Sequence, residues 1–382
     1  MRTSASTLTS TPDAIAHAPG KLILSGEHSV LYGAPALAMA IAQYTEVWFQ
    51  PLSPGEGLKT AFQNLSAGAS YPLKMLGNFK SSLDQRFDQF LRGDLEVHKI
   101  LTRPDDLAVY TLASLLQDAA ESQDGEITGI GAVGHLPAPG QLGSRSDLSI
   151  GAGMGSSAAV VAATTVLFET LLDRPKTLEE RYKRVRFCER LKHGKAGPID
   201  ASAVVRGGLV KVNGTSVEVP QVPKDHGLLK GDGWYWVLHG SPESGTGDCV
   251  AAVRKAHGHD TPLWDDFAAC THALEDALVT AASPKEAIQE NQRLLERIGV
   301  VPEAAQRFIQ DLGAQGATAK ICGAGSVTGD FGGAMLVHWN DHEAMTQFMA
   351  QHPSLAWSRL QMAERGAAAG PAPRRNDQEQ TQ

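Results

Sequence analysis

The sequence predicts a two-domain α+β protein, and three observations carry that expectation. The chain has 382 residues, more than an average domain gathers around one core. Strand-type and helix-type segments are mixed without the regular βαβ rhythm of a doubly wound sheet. Hydrophobic residues make up 42% and charged residues 20%, the balance of a globular chain with a sizeable core.

Taken in order, residues 1–14 read as a loose polar leader, with one arginine and no apolar run of the kind a secretory signal needs. A short apolar strand at 22–24 leads into a polar, glycine-containing loop. An Ala-rich patch and a β-prone run at 45–49 follow, and 51–60 is Pro/Gly-punctuated loop. Residues 72–123 look mostly helical, most clearly in "DDLAVYTLASLLQDAA". Short β-type runs are expected across 125–150, around a loose segment "LPAPGQLGSRSD". A helix is expected over 157–173. Thr177 and Glu180 form a T-x-x-E capping box, so a second helix should run over 178–192 and close at Gly194. "GGLVKVNG" and "WYWVLHG" read as strands, and 262–281 and 285–298 as helices. "GATAKICGAGSVTGDFGGAMLVHW" reads as strand, glycine-rich loop, strand. The expected domains are 15–210 and 211–362, followed by an Ala/Pro/Gln-rich, disordered tail over 363–382.

Charge narrows the function. A net charge of −8 argues against general affinity for nucleic acid or an anionic membrane, so any phosphate must be bound at a local site. No run reaches the ~18 apolar residues of a membrane span. The four cysteines lie far apart with no CxxC pair, so neither a zinc site nor a disulfide framework is indicated, and a reducing cytoplasm is expected.

Five stretches carry chemistry. In "SIGAGMGSSAAVVAATTVLF", Gly151, Gly153 and Gly155 precede a buried helix. Backbone N–H groups there can turn toward an anion at the positive end of the helix, where Ser156 and Ser157 sit. A tight turn for close helix packing is the alternative. Glu189 continues the apolar series Leu178, Tyr182 and Val185, so a carboxylate should point inward. It then needs a cation: a magnesium ion, or an arginine such as Arg186 or Arg190. Asp200, in the loop "HGKAGPID", is either a turn-former or a general base. In "APGKLILSGEHSVLYG", Lys21 precedes the strand while Glu27 and His28 follow it. A lysine beside an aspartate would keep that carboxylate ionised. "KICGAGSVTGDFGGAML" is a second backbone segment able to approach a ligand closely, or a hairpin turn.

Together these pieces resemble the GHMP kinase superfamily and, within it, the mevalonate kinase family. "APGKLILSGEHSVLYGAPALAMAI", "IGAGMGSSAA" and "AKICGAG" are similar to that family's three spaced motifs, over roughly residues 15–340. The EH-x-V-x-YG form is similar to mevalonate kinases rather than galactokinases. Residue by residue, the resemblance implies Asp200 and Lys21 as catalytic groups. It implies Gly151, Ala152, Gly153, Met154, Gly155, Ser156 and Ser157 around the phosphates of ATP, and Ser157 and Glu189 as ligands of Mg2+. Glu27 and His28 would lie near the nucleotide and the mevalonate, Gly323, Ala324 and Gly325 would close over the site, and Thr246 would touch the acceptor. The implied fold is a ribosomal protein S5 domain 2-like N-terminal domain joined to a ferredoxin-like C-terminal domain, with a homodimer as a possible assembly. The chain departs from the family at Ser149, which replaces a usual proline, in "KAGPID", and in the longer third loop containing Asp330. These departures leave other acceptors open: phosphomevalonate, a sugar, or the decarboxylase variant of the chemistry, and more remotely a non-catalytic nucleotide-binding regulator.

Overall fold

The computed structural model describes residues 14–63, 68–124, 136, 138–149 and 151–373, without the side chains of 118–124. Residues 1–13 of the expected leader, 374–382 of the expected tail, and 125–135, 137 and 150 of the expected β-type region lie outside the described residues. Two layers of sheet and helix are joined along one edge.

The first layer is built on β1 (Ala14–Ser25) and β2 (Ala36–Pro51), antiparallel along most of their length. Both are far longer than the short runs expected. The "APALAMAIA" patch is strand because it is buried nearly throughout, with neighbours on both edges, and tertiary packing overrides the helix preference of alanine. β3 (Leu58–Phe62), β4 (Ser70–Tyr71) and β5 (Gly140–Ser146) extend one side of β2, with β3 and β5 parallel. β5 corrects the reading of "GQLGSRS" as loose chain. A Cβ on Gly140 would lie 2.0 Å from Phe49 Cζ, and one on Gly143 2.2 Å from Trp48 Cε2. The glycines let those aromatic rings lie flat across the strand.

α1 (Leu76–Leu91), α2 (Asp106–Asp124), α3 (Ser156–Leu171) and α4 (Leu178–His193) gather on this sheet. α3 is apolar nearly all round and correspondingly buried, and its Thr165 and Thr170 hydroxyls donate to carbonyls one turn back. α4 begins with the capping box expected: Glu180 N donates to Thr177 Oγ1 at 3.2 Å, and Thr177 N to Glu180 Oε2 at 2.8 Å. Leu178 is a correction. It is 47% exposed, and the buried stripe starts at Tyr182 and passes through Val185 to Glu189. α5 (Pro198–Arg206) opens with proline at its first turn, where no N–H is needed, so Asp200 sits on a helix and not in a loop.

The chain then returns to the first sheet. β6 (Leu209–Asn213) pairs with β2, and β7 (Ser216–Glu218) with β6. The boundary expected between 210 and 211 therefore falls inside a strand. After α6 (Gly227–Lys230), the second layer holds β8 (Trp234–His239), α7 (Thr246–His257), α8 (Thr261–Thr280), α9 (Lys285–Arg297), α10 (Glu303–Ala314), β9 (Thr318–Ile321), β10 (Gly333–His338), α11 (His342–Ala350) and β11 (Ala356–Arg359). Its antiparallel sheet has the order β11-β8-β10-β9, the ferredoxin-like arrangement. α10, α11 and β11 were not anticipated from the sequence.

Two large apolar cores fill the molecule, the first reaching across the seam to Trp234, Leu278 and Leu336. The first centres on Phe168, Tyr110, Phe49 and Leu37, the other on Phe267, Trp264, Phe308 and Tyr235. A fully buried side chain of this size contributes about 2–3 kcal/mol. The layers meet where Tyr32 stacks on Trp264 at 4.0 Å, and where Ser25 Oγ and Thr271 Oγ1 share a 2.7 Å hydrogen bond. The expected disordered tail is also corrected in part. Ala363 N donates to Ala40 O, Ala367 N to Val204 O, and β12 (Ala368–Ala369) pairs with β1.

Candidate active site

The phosphate-type turn is built from alternation. Ala152 and Met154 are buried and anchor the turn, while Gly151 and Gly153 face outward. All three glycines take left-handed conformations, with φ of 78°, 79° and 76°, which side-chain-bearing residues rarely adopt. Gly155 is the N-cap of α3, and no side chain caps that helix. Its first turn thus presents backbone N–H groups and the positive end of the helix dipole.

Lys21 lies beneath this turn. Its backbone N donates to Met154 O at 2.9 Å, and a Cβ on Gly155 would meet Lys21 Cγ at 2.7 Å, so only glycine leaves room for the lysine stem. Its ammonium ends 3.1 Å from Asp200 Oδ1. The lysine side chain is 5% exposed and the aspartate 35%, so a ligand can reach Asp200 while Lys21 supports it from below. α5 is held in place by Ile199 and Ala203, which pack with Ile23, Val210 and Val212 of the first sheet. A strand residue and a helix residue 179 positions apart are thereby brought together, counting from 21 to 200.

Glu189 is 3% exposed, as its place in the apolar series required. Ser157 Oγ donates to Glu189 Oε2 at 2.9 Å, and His193 Nε2 stands 3.4 Å from the same oxygen. Neither arginine alternative is realised: Arg190 pairs with Asp84 at 2.8 Å, and Arg186 donates to Tyr182 Oη. Glu189 Oε1 is buried without a hydrogen-bond partner among the described residues. A buried carboxylate oxygen left open beside a hydroxyl at a helix N-terminus suits a hard divalent cation. Among the described residues no cluster of three or more His, Cys, Asp or Glu forms a protein cage. The fit is to an ion such as Mg2+, which takes one or two protein ligands and completes its shell with phosphate oxygens and water.

The third glycine loop closes the opposite wall. A Cβ on Gly153 would lie 3.8 Å from Cys322 O, and one on Gly333 4.0 Å from Ala152 O. Gly325 comes so close to Val300 O that a Cβ there would stand 2.1 Å away, and its φ is 67°. Ala324 O accepts from His28 Nε2 at 3.0 Å. Burial pushes the His28 pKa below its ordinary value despite that hydrogen bond and the nearby Glu27 charge, so the ring is neutral with its proton on Nε2. Glu27 departs from expectation. Its side chain is buried and its Oε1 forms an ion pair with Lys320 of β9, while Oε2 is buried with no hydrogen-bond partner among the described residues. Thr246 is exposed at the start of α7. Its neighbour Ser244 clasps the long third loop: Ser244 Oγ accepts from Val327 N at 3.2 Å and Thr328 N at 3.1 Å, and Ser244 N donates to Ser326 Oγ at 3.0 Å. Sequence reasoning passed over Lys320 and Ser244. A lysine inside the apolar strand "TAKI" was the available signal for the first, while the second had none.

Residues 110–208, which span α3, α4 and α5, match the GHMP kinases N terminal domain. The mevalonate kinase of Thermococcus sibiricus is 28% identical over 328 residues, covering 81% of this chain and 86% of that protein. The crystal structure of the Methanococcus jannaschii mevalonate kinase superposes with a TM-score of 0.71 at 18% identity, covering 93% of this chain and 99% of that one. A Streptococcus pneumoniae phosphomevalonate kinase, solved with phosphomevalonate and AMPPNP, gives 0.65 at 15% identity over 91% and 99% of the two chains. At such identities the structural likenesses speak for the fold alone. The chain thus has the GHMP kinase fold and is similar in sequence to the GHMP kinases N terminal domain over residues 110–208, which hold the glycine turn and the aspartate that Lys21 meets.

Proposed function

We propose that this protein is an ATP-dependent phosphotransferase that phosphorylates the 5-hydroxyl of (R)-mevalonate, a step of isoprenoid precursor synthesis. The observation that carries the chemistry is the Lys21–Asp200 pair beneath the uncapped N-terminus of α3. The backbone of residues 151–157 holds the triphosphate. Asp200 orients the acceptor hydroxyl and takes its proton as that oxygen attacks the γ-phosphorus. The bond to the β–γ bridging oxygen breaks, and ADP leaves with the electron pair. Lys21 keeps Asp200 ionised and offers positive charge to the transferring group. Ser157 Oγ and the open Oε1 of Glu189 are the atoms that would hold Mg2+, which supplies charge neutralisation at the phosphate oxygens. His28 and the loop of Gly323, Ala324 and Gly325 line the side facing the phosphate turn, and Thr246 is a further acceptor-side residue.

Mevalonate is favoured as acceptor because the sequence relative reported above, from Thermococcus sibiricus, bears that activity in its name. The four cysteines are buried free thiols, consistent with a cytoplasmic protein, and no described helix is long and apolar enough to cross a membrane. A homodimer remains part of this reading and is checked by light scattering. The deciding experiment is ADP release with MgATP against mevalonate, phosphomevalonate, diphosphomevalonate and a set of sugars. Mevalonate alone should support turnover. A higher kcat/KM with another acceptor, or carbon dioxide release from diphosphomevalonate, replaces the reading.

A further inference from the structure

We propose that Glu27 and Lys320 are positioning residues, a buried ion pair that fixes the third glycine loop at its working distance from the phosphate turn. The inference rests on the phosphoryl-transfer reading above and assigns Glu27 a role other than touching nucleotide.

Glu27 stands two residues beyond β1, and its side chain is 1% exposed. Lys320 lies in β9 with its side chain wholly buried. Side chains alternate along a strand, so Lys320 and Cys322 share a face, and Lys320 Nζ lies 3.9 Å from Cys322 Sγ. Cys322 opens the glycine loop, and its carbonyl is the atom nearest to Gly153 across the cleft. The next residue of the same turn repeats the device, with His28 Nε2 bound to Ala324 O. Glu27 thus holds the strand just before the loop, and His28 holds the loop itself.

Both ties spring from a single segment. At its near end, Lys21 anchors the phosphate turn through Met154 O and meets Asp200 through its ammonium. At its far end, Glu27 and His28 anchor the opposing wall. Residues 21–28 therefore set the spacing between three parts of the site that come from distant stretches of chain. Burial opposes the charge on Lys320, yet its pKa lies above the ordinary value, with the adjacent Glu27 carboxylate among the causes. Two buried charges are a poor device for stability alone, since apolar replacements of such pairs are often neutral or stabilising. What an ion pair supplies that two leucines do not is a single permitted register.

The test uses two double variants of the full chain. Glu27→Leu with Lys320→Met removes both charges at similar volume, and Glu27→Asp with Lys320→Arg keeps the pair. In the apolar variant the melting temperature should stay at or above wild type and MgATP affinity within about twofold. Its kcat with mevalonate should fall about tenfold or more, because small displacements of reacting groups carry large rate penalties. Amide exchange over 322–326 should quicken while that of 156–160 does not. The charge-keeping variant should recover most of kcat. An apolar variant with wild-type kcat and wild-type exchange overturns the proposal. So does failure of both doubles to fold, which makes the pair a folding requirement. Should wild type not phosphorylate mevalonate at all, the acceptor reading fails by itself, and the exchange measurement alone decides the positioning role.

Discussion

At the scale of single residues, the site depends on Asp200 being reachable and Lys21 being hidden. Asp200→Asn keeps the shape and removes the carboxylate proposed above to take the acceptor's proton. Turnover should fall by about 10²–10⁴ while MgATP binding persists, as measured by steady-state kinetics beside calorimetry. Gly155→Ala tests the floor of the turn. A methyl group there meets Lys21 Cγ at 2.7 Å in a backbone conformation that alanine resists. Both KM for ATP and kcat should worsen, and thermal unfolding should show a loss of about 1–2 kcal/mol. Much of this was legible. Lys21, Ser157, Glu189 and Asp200 were each singled out in the sequence, and Lys21 meets Asp200 while Ser157 meets Glu189, although Asp200 lies on a helix where a loop was expected. Glu27 was not legible, because its partner lies 293 positions away and no local pattern announces the pairing.

At the scale of elements, α4 is a helix whose two ends do different work. Its capping box fixes where the helix starts, and counting turns from that point brings Glu189 opposite Ser157. Glu189→Gln keeps the hydrogen bond and discards the charge, so the Mg2+ concentration for half-maximal activity should rise about 10–100-fold. A magnesium titration at fixed ATP reads this directly, and an unchanged midpoint removes Glu189 from the metal site. Helices with clear caps and periodicity, such as α4, α8 and α9, were legible to within a few residues. β2 and β5 were not. One is an alanine-rich run made into strand by burial, and the other carries glycines that serve the rings of Trp48 and Phe49. In both the deciding neighbour is distant in sequence, so local preference misleads.

At the scale of the whole molecule, acid should loosen the fold before carboxylates titrate. Burial holds the His338 pKa at about 4, against an ordinary 6.5, and also lowers those of His28, His226 and His239. Unfolding frees each ring to take up a proton once the pH drops below 6.5, whereas the native rings resist to lower pH, His338 until about 4. Stability is therefore complete above pH 6.5 and declines as pH falls through that window. For His338, allowing for its partial exposure, the loss by pH 4 is about 2 kcal/mol. Calorimetry from pH 7.5 to 5 should show a falling melting temperature with proton uptake on unfolding, and His338→Gln should flatten the slope. The two-layer plan was legible from length and mixed patterning. The seam between the layers was not, because β6, β7 and β12 return to the first sheet through pairings that sequence order conceals.

The return of the far end of the chain to β1 bears on how the protein is made. Translation delivers β1 long before β12, so Ala16 and His17 pair with β2 on one edge but gain partners on the other only when residues 368–369 emerge from the ribosome. Until then the nascent first layer carries an uncovered border of N–H and C=O groups, a template for any neighbouring polypeptide. A product cut short near residue 355 would keep its helices and most of its interior but never gain that closing stitch, and its fate is clumping rather than a half-working enzyme.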